Sequence, residues 1–131
     1  MIDHMSISVS DYEKSRAFYL KALGPLGYTL VMELDKKDIP ELPSPKVGGL
    51  GEGGKPDFWL AQVSPVTTPQ HLAFRATSRA AVDAFYQAAV AAGAKDNGPP
   101  GVRPHYHEHY YGAFVIDING HNLEAVCHTP G

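Results

Sequence analysis

The sequence predicts an α+β fold made of two βαβββ modules, and three observations carry that prediction. The chain of 131 residues repeats itself, its apolar residues alternate in short runs, and an alternating run in each copy is followed by a helical pattern that ends at glycine. In the first copy His4-Met-Ser-Ile-Ser-Val-Ser-Asp leads into Ala17-Phe18-Tyr19; in the second, His71-Leu-Ala-Phe-Arg-Ala-Thr-Ser leads into Ala84-Phe85-Tyr86. Both histidines stand 13 residues before the triplet, at a constant offset of 67. A shared tripeptide carries little weight, but a register kept across a strand and the following helix marks a duplicated unit. Module 1 is expected over about residues 1–65 and module 2 over about 69–131. Pro65–Pro69 forms the joint, and the two make one domain spanning 1–131.

Each element has its own signal. Residues 2–9 place Met5, Ile7 and Val9 on one face and His4, Ser6 and Ser8 on the other, the period of a half-buried strand. Ser10-x-x-Glu13 resembles a capping box, and a helix runs from there to about Leu23, where Gly24-Pro25 stops it. Strands follow at Tyr28–Leu34, weakly near Val47–Leu50, and at Phe58–Val63; residues 35–57 read as a Pro/Gly/Lys-rich loop or flap with a poor edge strand. In module 2, Leu72, Phe74 and Ala76 oppose His71, Ala73 and Arg75. Ser78 caps a helix whose Val82, Phe85, Ala89 and Val90 recur at helical steps, and Gly93 ends it. The stretch 95–104 has no clear pattern. Strands return at Tyr110–Asp117 and Asn122–Cys127, joined by the Asp117-Ile-Asn-Gly120 turn.

Composition narrows the function classes. With 14 acidic and 11 basic residues and no basic run, neither nucleic acid nor an anionic membrane is the expected partner. A single cysteine, Cys127, makes no internal disulfide, and it falls on the apolar side of its strand as a buried thiol. No apolar stretch approaches a membrane span and no signal-like start is present, so a soluble, cytoplasmic protein is expected.

The strand alternation puts one face of each sheet under its helix and gives the other His, Ser, Arg and Glu. His4, His71 and Glu124 all fall on that polar side. Two imidazoles and a carboxylate are a set that holds a divalent first-row ion and leaves positions open. Two of seven histidines on polar strand faces also fit plain solvated or core-bonded side chains. The repeat favours the metal reading, because it places the two histidines at equivalent positions.

Ile2-Asp-His4-Met-Ser-Ile-Ser-Val followed by Ser15-Arg-Ala-Phe-Tyr19 resembles the opening of glyoxalase I-like proteins of the glyoxalase/bleomycin-resistance/dioxygenase (vicinal oxygen chelate) superfamily. His71-Leu-Ala-Phe is similar to the start of their second module, and Tyr110-Tyr-Gly-Ala-Phe-Val-Ile-Asp-Ile-Asn-Gly-His-Asn-Leu-Glu124 to their closing pattern. The resemblance spans nearly the whole chain and is weakest over 35–57 and 95–108. It implies a curved sheet cup and three metal positions at His4, His71 and Glu124, with Glu124 also a candidate base. It implies a divalent ion (Zn, Ni, Mn or Fe) and a homodimer, with the modules pairing either within one chain or between two, the site being shared between chains in the second case. Glyoxalase I proper adds a carboxylate from the last strand of the first module. Here that strand is Phe58-Trp-Leu-Ala-Gln-Val63, where Gln62 is the polar candidate and Asp57 falls early, so the chain departs from glyoxalase I there.

Further candidates surround this set. His105-Tyr-His107-Glu-His109 reads as a solvated, substrate-gating loop more readily than as a second metal site; His107 is the candidate general base in it. Arg75 and Arg103 are candidate anion contacts, with surface pairing as the plain alternative. Trp59, Tyr110 and Tyr111 are candidates for an aromatic wall, or for packing. His121 and His128 read as turn and terminal residues. The expected function is a glyoxalase-like metalloenzyme, a lyase, isomerase or relative, acting on neighbouring oxygens of a small molecule. The alternatives are a metal-free binding protein of the bleomycin-resistance type and an extradiol-type dioxygenase.

Overall fold

The structure, a computed structural model, describes residues 1–131. Module 1 consists of β1 (Met5–Val9), α1 (Tyr12–Leu23), β2 (Thr29–Asp35), β3 (Lys46–Gly51) and β4 (Phe58–Gln62). Module 2 consists of β5 (His71–Arg75), α2 (Arg79–Ala91), two short strands β6 (Lys95–Asp96) and β7 (Gly101–Val102), then β8 (Tyr111–Ile116) and β9 (Asn122–Cys127). The sheets run β1-β4-β3-β2 and β5-β9-β8-β6, with β7 also paired to β8. In each module the first and last strands are parallel neighbours and the rest are antiparallel. The duplicated architecture therefore has the expected form, with the third strand of module 2 broken into β6 and β7.

Local differences have local causes. The first helix begins at Tyr12, and Asp11 caps it by accepting from the Lys14 amide; Ser10 instead donates its hydroxyl to Asn119 of module 2. The segment over 46–51 is no edge strand: it lies between β2 and β4. Its glycines weaken the pattern, which gave the strand but not its place inside the sheet. At Gly48 a Cβ would stand 2.1 Å from the Tyr12 hydroxyl oxygen, so only glycine lets the helix come that close.

The two modules share one core of 22 buried residues, and the helix-covered face of each sheet supplies it. Phe58 of β4 and Phe74 of β5 meet edge to face at 5.3 Å, and Tyr19 meets Phe58 at 5.2 Å. Polar groups tie the same seam. The buried Tyr19 hydroxyl donates to Asp117 Oδ2 at 2.5 Å. His121, expected as a turn residue, is fully buried, with Nδ1 accepting from the Gln70 amide at 2.8 Å and Nε2 facing the Ser8 carbonyl at 2.7 Å. An acceptor at Nδ1 leaves the proton on Nε2, so one neutral tautomer joins β1 of module 1 to the start of module 2. Cys127 is buried in the core, as its parity indicated. No helix is long and apolar enough to cross a membrane.

Candidate functional site

The face of module 2 turned away from its helix is built by alternation. His71, Ala73 and Arg75 of β5, Asn122, Glu124 and Val126 of β9, and Gly112, Phe114 and Ile116 of β8 share it; their neighbours Leu72, Phe74, Leu123 and Ala125 go into the core. In the middle of this face lies a cavity of about 340 Å³ lined by His71, Tyr106, Tyr110, Phe114 and Glu124.

Glu124 is its polar floor, with 2% of the residue exposed. Its Oε1 is 3.3 Å from Nε2 of His71, and its Oε2 accepts from the Tyr110 hydroxyl. The second nitrogen of His71, Nδ1, lies 3.0 Å from the Asn122 carbonyl. A carbonyl only accepts, so Nδ1 carries a proton, and a neutral ring would point its Nε2 lone pair at a carboxylate. Two electron-rich atoms held that way need a proton or a cation between them. Burial, the hydrogen bond to Glu124 and that carboxylate's charge all push the Tyr110 phenol well above its ordinary 10.0, which keeps its hydroxyl a donor.

His4 does not join this pair within one chain. It lies just before β1, exposed, with Nδ1 2.7 Å from Asp3, and no three His, Cys, Asp or Glu side chains of a protomer come together to hold an ion. The Asp3 carboxyl is held below its usual range by His4 first and Lys55 second. The partnering leaves Nε2 of His4 free. A second cavity, about 280 Å³, has His71 on one side and Ile2, Asp3 and Met5 on the other, so the N-terminal segment borders β5.

The matching face of module 1 is different. Ser6 pairs with Trp59 as Ala73 pairs with Glu124, and Ser6 and Ala73 are related by the offset of 67. Trp59 therefore occupies the place in module 1 that Glu124 occupies in module 2. Gln62 shares parity with the buried Phe58 and Leu60 and points to the helix side, which removes it as a ligand; Asp57 matches Asn122 and engages the Tyr28 hydroxyl. Around Trp59 the open face carries Ser6, Ser8, Met32, Val47 and Ala61 and no titratable strand residue. The Trp59 ring and Pro56 close over Gly49.

The remaining candidates divide by place. Arg75 is exposed at the end of β5 on the His71 face. Arg103 is committed to its own loop: its guanidinium donates to the Gly101 and Pro99 carbonyls, both at 2.8 Å, and covers Phe114. Tyr111 pairs with Cys127 on the helix side, where its hydroxyl donates to Asp83 at 2.7 Å under Arg79, so it binds α2 and not the cavity. His107 is exposed, its Nδ1 accepting from the His109 amide, with its ring 6.2 Å from His109 and 6.3 Å from His128; it does not line the cavity. Sequence reading missed Phe114, whose parity opposite Glu124 could have revealed it, and Tyr106, whose loop has no periodicity to read.

The sequence matches the family described as the Glyoxalase/Bleomycin resistance protein/Dioxygenase superfamily over residues 1–125. Among solved structures, a glyoxalase/bleomycin resistance protein from Albidiferax ferrireducens is 24% identical with a TM-score of 0.73, covering 97% of this chain and 98% of that one. A glyoxylase/bleomycin resistance protein/dioxygenase domain from Frankia is 17% identical with a TM-score of 0.73, covering 98% of both chains. A glyoxalase I variant from Zea mays is 23% identical with a TM-score of 0.72; 95% of this chain spans 46% of that protein. These likenesses show the fold. No curated protein sequence matches the chain.

Proposed function

We propose, from the premise that this chain belongs to the glyoxalase/bleomycin resistance protein/dioxygenase superfamily, that it is a metalloenzyme whose ion is held by His71 and Glu124. The observation that carries this reading is the 3.3 Å approach of His71 Nε2 to Glu124 Oε1 with Nδ1 bonded to Asn122. Two ligands each about 2.0–2.1 Å from a tetrahedral ion stand about 3.3 Å apart, so the spacing fits an ion without rearrangement. A backbone carbonyl on the far nitrogen is the usual support of a metal-binding imidazole.

The third ligand is His4 of a second copy of this chain. Its Nδ1 is likewise engaged, by Asp3, and its ring is exposed. A homodimer arranged in this way has two equivalent sites. When bound, the ion supplies a Lewis acid for two neighbouring oxygens of a small substrate. The chain's own residues do the rest. Glu124 is the buried carboxylate nearest the reacting atoms, Phe114 and Tyr106 wall the cavity, and Arg75 stands at its margin for an anionic group on the substrate. Trp59 of the second copy provides an apolar wall on the opposite side.

The test is the metal content of protein purified without chelator. About one equivalent per chain is expected, lost in His71→Ala and Glu124→Ala. His4→Ala also loses it. Mixing His4→Ala with Glu124→Ala chains restores one site per mixed dimer, about half an equivalent per chain, because one of its two sites is then intact. Native protein without metal overturns the reading. That outcome favours a small-molecule binding protein in which a protonated His71 pairs with Glu124; the convergence of only two donors in one chain is the observation on that side.

A further inference from the structure

We infer that Tyr110 is a positioning residue: its phenol ties Oε2 of Glu124 so that Oε1 alone faces His71. The inference rests on the reading of His71 and Glu124 as ligands and adds to it a fixed mode of binding. A carboxylate has two oxygens and accepts on both, so an unrestrained Glu124 is free to bind an ion through either or through both. With Oε2 occupied by a phenol, one oxygen is offered, on the side where Nε2 of His71 lies. A carboxylate that binds through one oxygen leaves a coordination position that a second would fill. A substrate with two neighbouring oxygens needs that position.

The fold prepares this contact from several directions. Gly112 makes room for it: a Cβ there would stand 3.2 Å from Tyr110 Cε1 and 3.3 Å from Glu124 Oε2, and would press the pair apart. The Tyr110 backbone is fixed at both ends, its amide donating to the His107 carbonyl at 3.1 Å and its carbonyl accepting from the Arg103 amide. Its ring meets Tyr106 at 5.0 Å and His128 at 5.3 Å, both edge to face. A hydroxyl aimed by this many contacts costs no ordering when the ion arrives. Tyr106 lines the same cavity, so the loop over residues 103–110 is coupled to Glu124 through Tyr110.

Cobalt(II) chloride titrated into the full chain, followed by calorimetry and by the visible d–d absorption, tests the inference with wild type, Tyr110→Phe and Gly112→Ala. The phenylalanine keeps the ring contacts and removes the hydroxyl; the alanine keeps the hydroxyl and displaces it. Tyr110→Phe is expected to bind cobalt about 10–100-fold more weakly. Its d–d bands become less intense as Oε2 is released to the ion and the coordination number rises. Gly112→Ala shifts both readouts in the same direction. If wild type binds cobalt and both variants stay within about twofold of it with the same spectrum, the positioning role is overturned and the ligand pair stands. If wild type binds no cobalt, the ligand pair itself falls, and this inference with it.

Discussion

Module 1 and module 2 repeat the same parallel pair, β1–β4 in one and β5–β9 in the other, yet their open faces carry opposite chemistry. At matching positions Ser6 faces Trp59 in the first and Ala73 faces Glu124 in the second. The neighbouring residues follow suit: Met32, Val47 and Ala61 surround Trp59, whereas His71, Tyr110 and Phe114 surround Glu124. One residue along, the two modules agree again. Phe58 and Leu123 occupy equivalent places and both are buried in the shared core. The interior of each half must interdigitate with the interior of the other, so a change there is felt at once. The open face is not needed to hold the fold together, and there the halves differ, one polar and one apolar.

The largest expected effect is on the shared interior. Phe58→Ala and Leu123→Ala should each lower unfolding free energy by about 2–5 kcal/mol in chemical denaturation, with a single transition. Two separate transitions would break the claim of one core. The next effect is on the contrast itself. Trp59→Glu places a carboxylate where the second module has one, and should tighten cobalt binding about tenfold if the two faces share an ion. Unchanged affinity would confine the ion to module 2, and Trp59 would then be no wall of that site.

The smallest effect compares two phenol–carboxylate pairs. On the helix side of module 1, Tyr12 donates to Glu33 at 2.7 Å; on the open side of module 2, Tyr110 donates to Glu124. Burial first, and then Glu33, raises the Tyr12 phenol above its ordinary 10.0; the Tyr12 hydrogen bond first, and then Arg16, lowers Glu33 below 4.5. A lowered carboxyl stabilises the fold above its unfolded value and loses that contribution as pH falls. A raised phenol stabilises below its unfolded value and loses it as pH rises. The Tyr12–Glu33 contact is therefore at full strength between about pH 5 and 10. Melting curves of Tyr12→Phe should fall short of wild type by about 0.5–1 kcal/mol inside that window, allowing for screening of the exposed Glu33, and converge outside it. A difference that ignores pH would show that the hydroxyl contributes by packing alone.

Much of this molecule was legible in one dimension. The repeat, the helices, the outer strands and the side of the sheet on which His71, Glu124 and Arg75 stand all follow from periodicity, which needs only residues close together in the chain. Ser78 was readable as a cap for the same reason, whereas Ser10 yielded to Asp11 because Asn119, far away in sequence, engages it. Periodicity assigns a residue to a face but not to a neighbour. Only the pairing of β1 with β4 showed that Trp59 stands where Glu124 does. Loops lack a period altogether, so the turning of Tyr110 toward Glu124, the capture of Arg103 by its own carbonyls and the burial of His121 between modules were decided in three dimensions. Each of those contacts joins groups whose approach depends on how both modules pack, and no local pattern of residues encodes that.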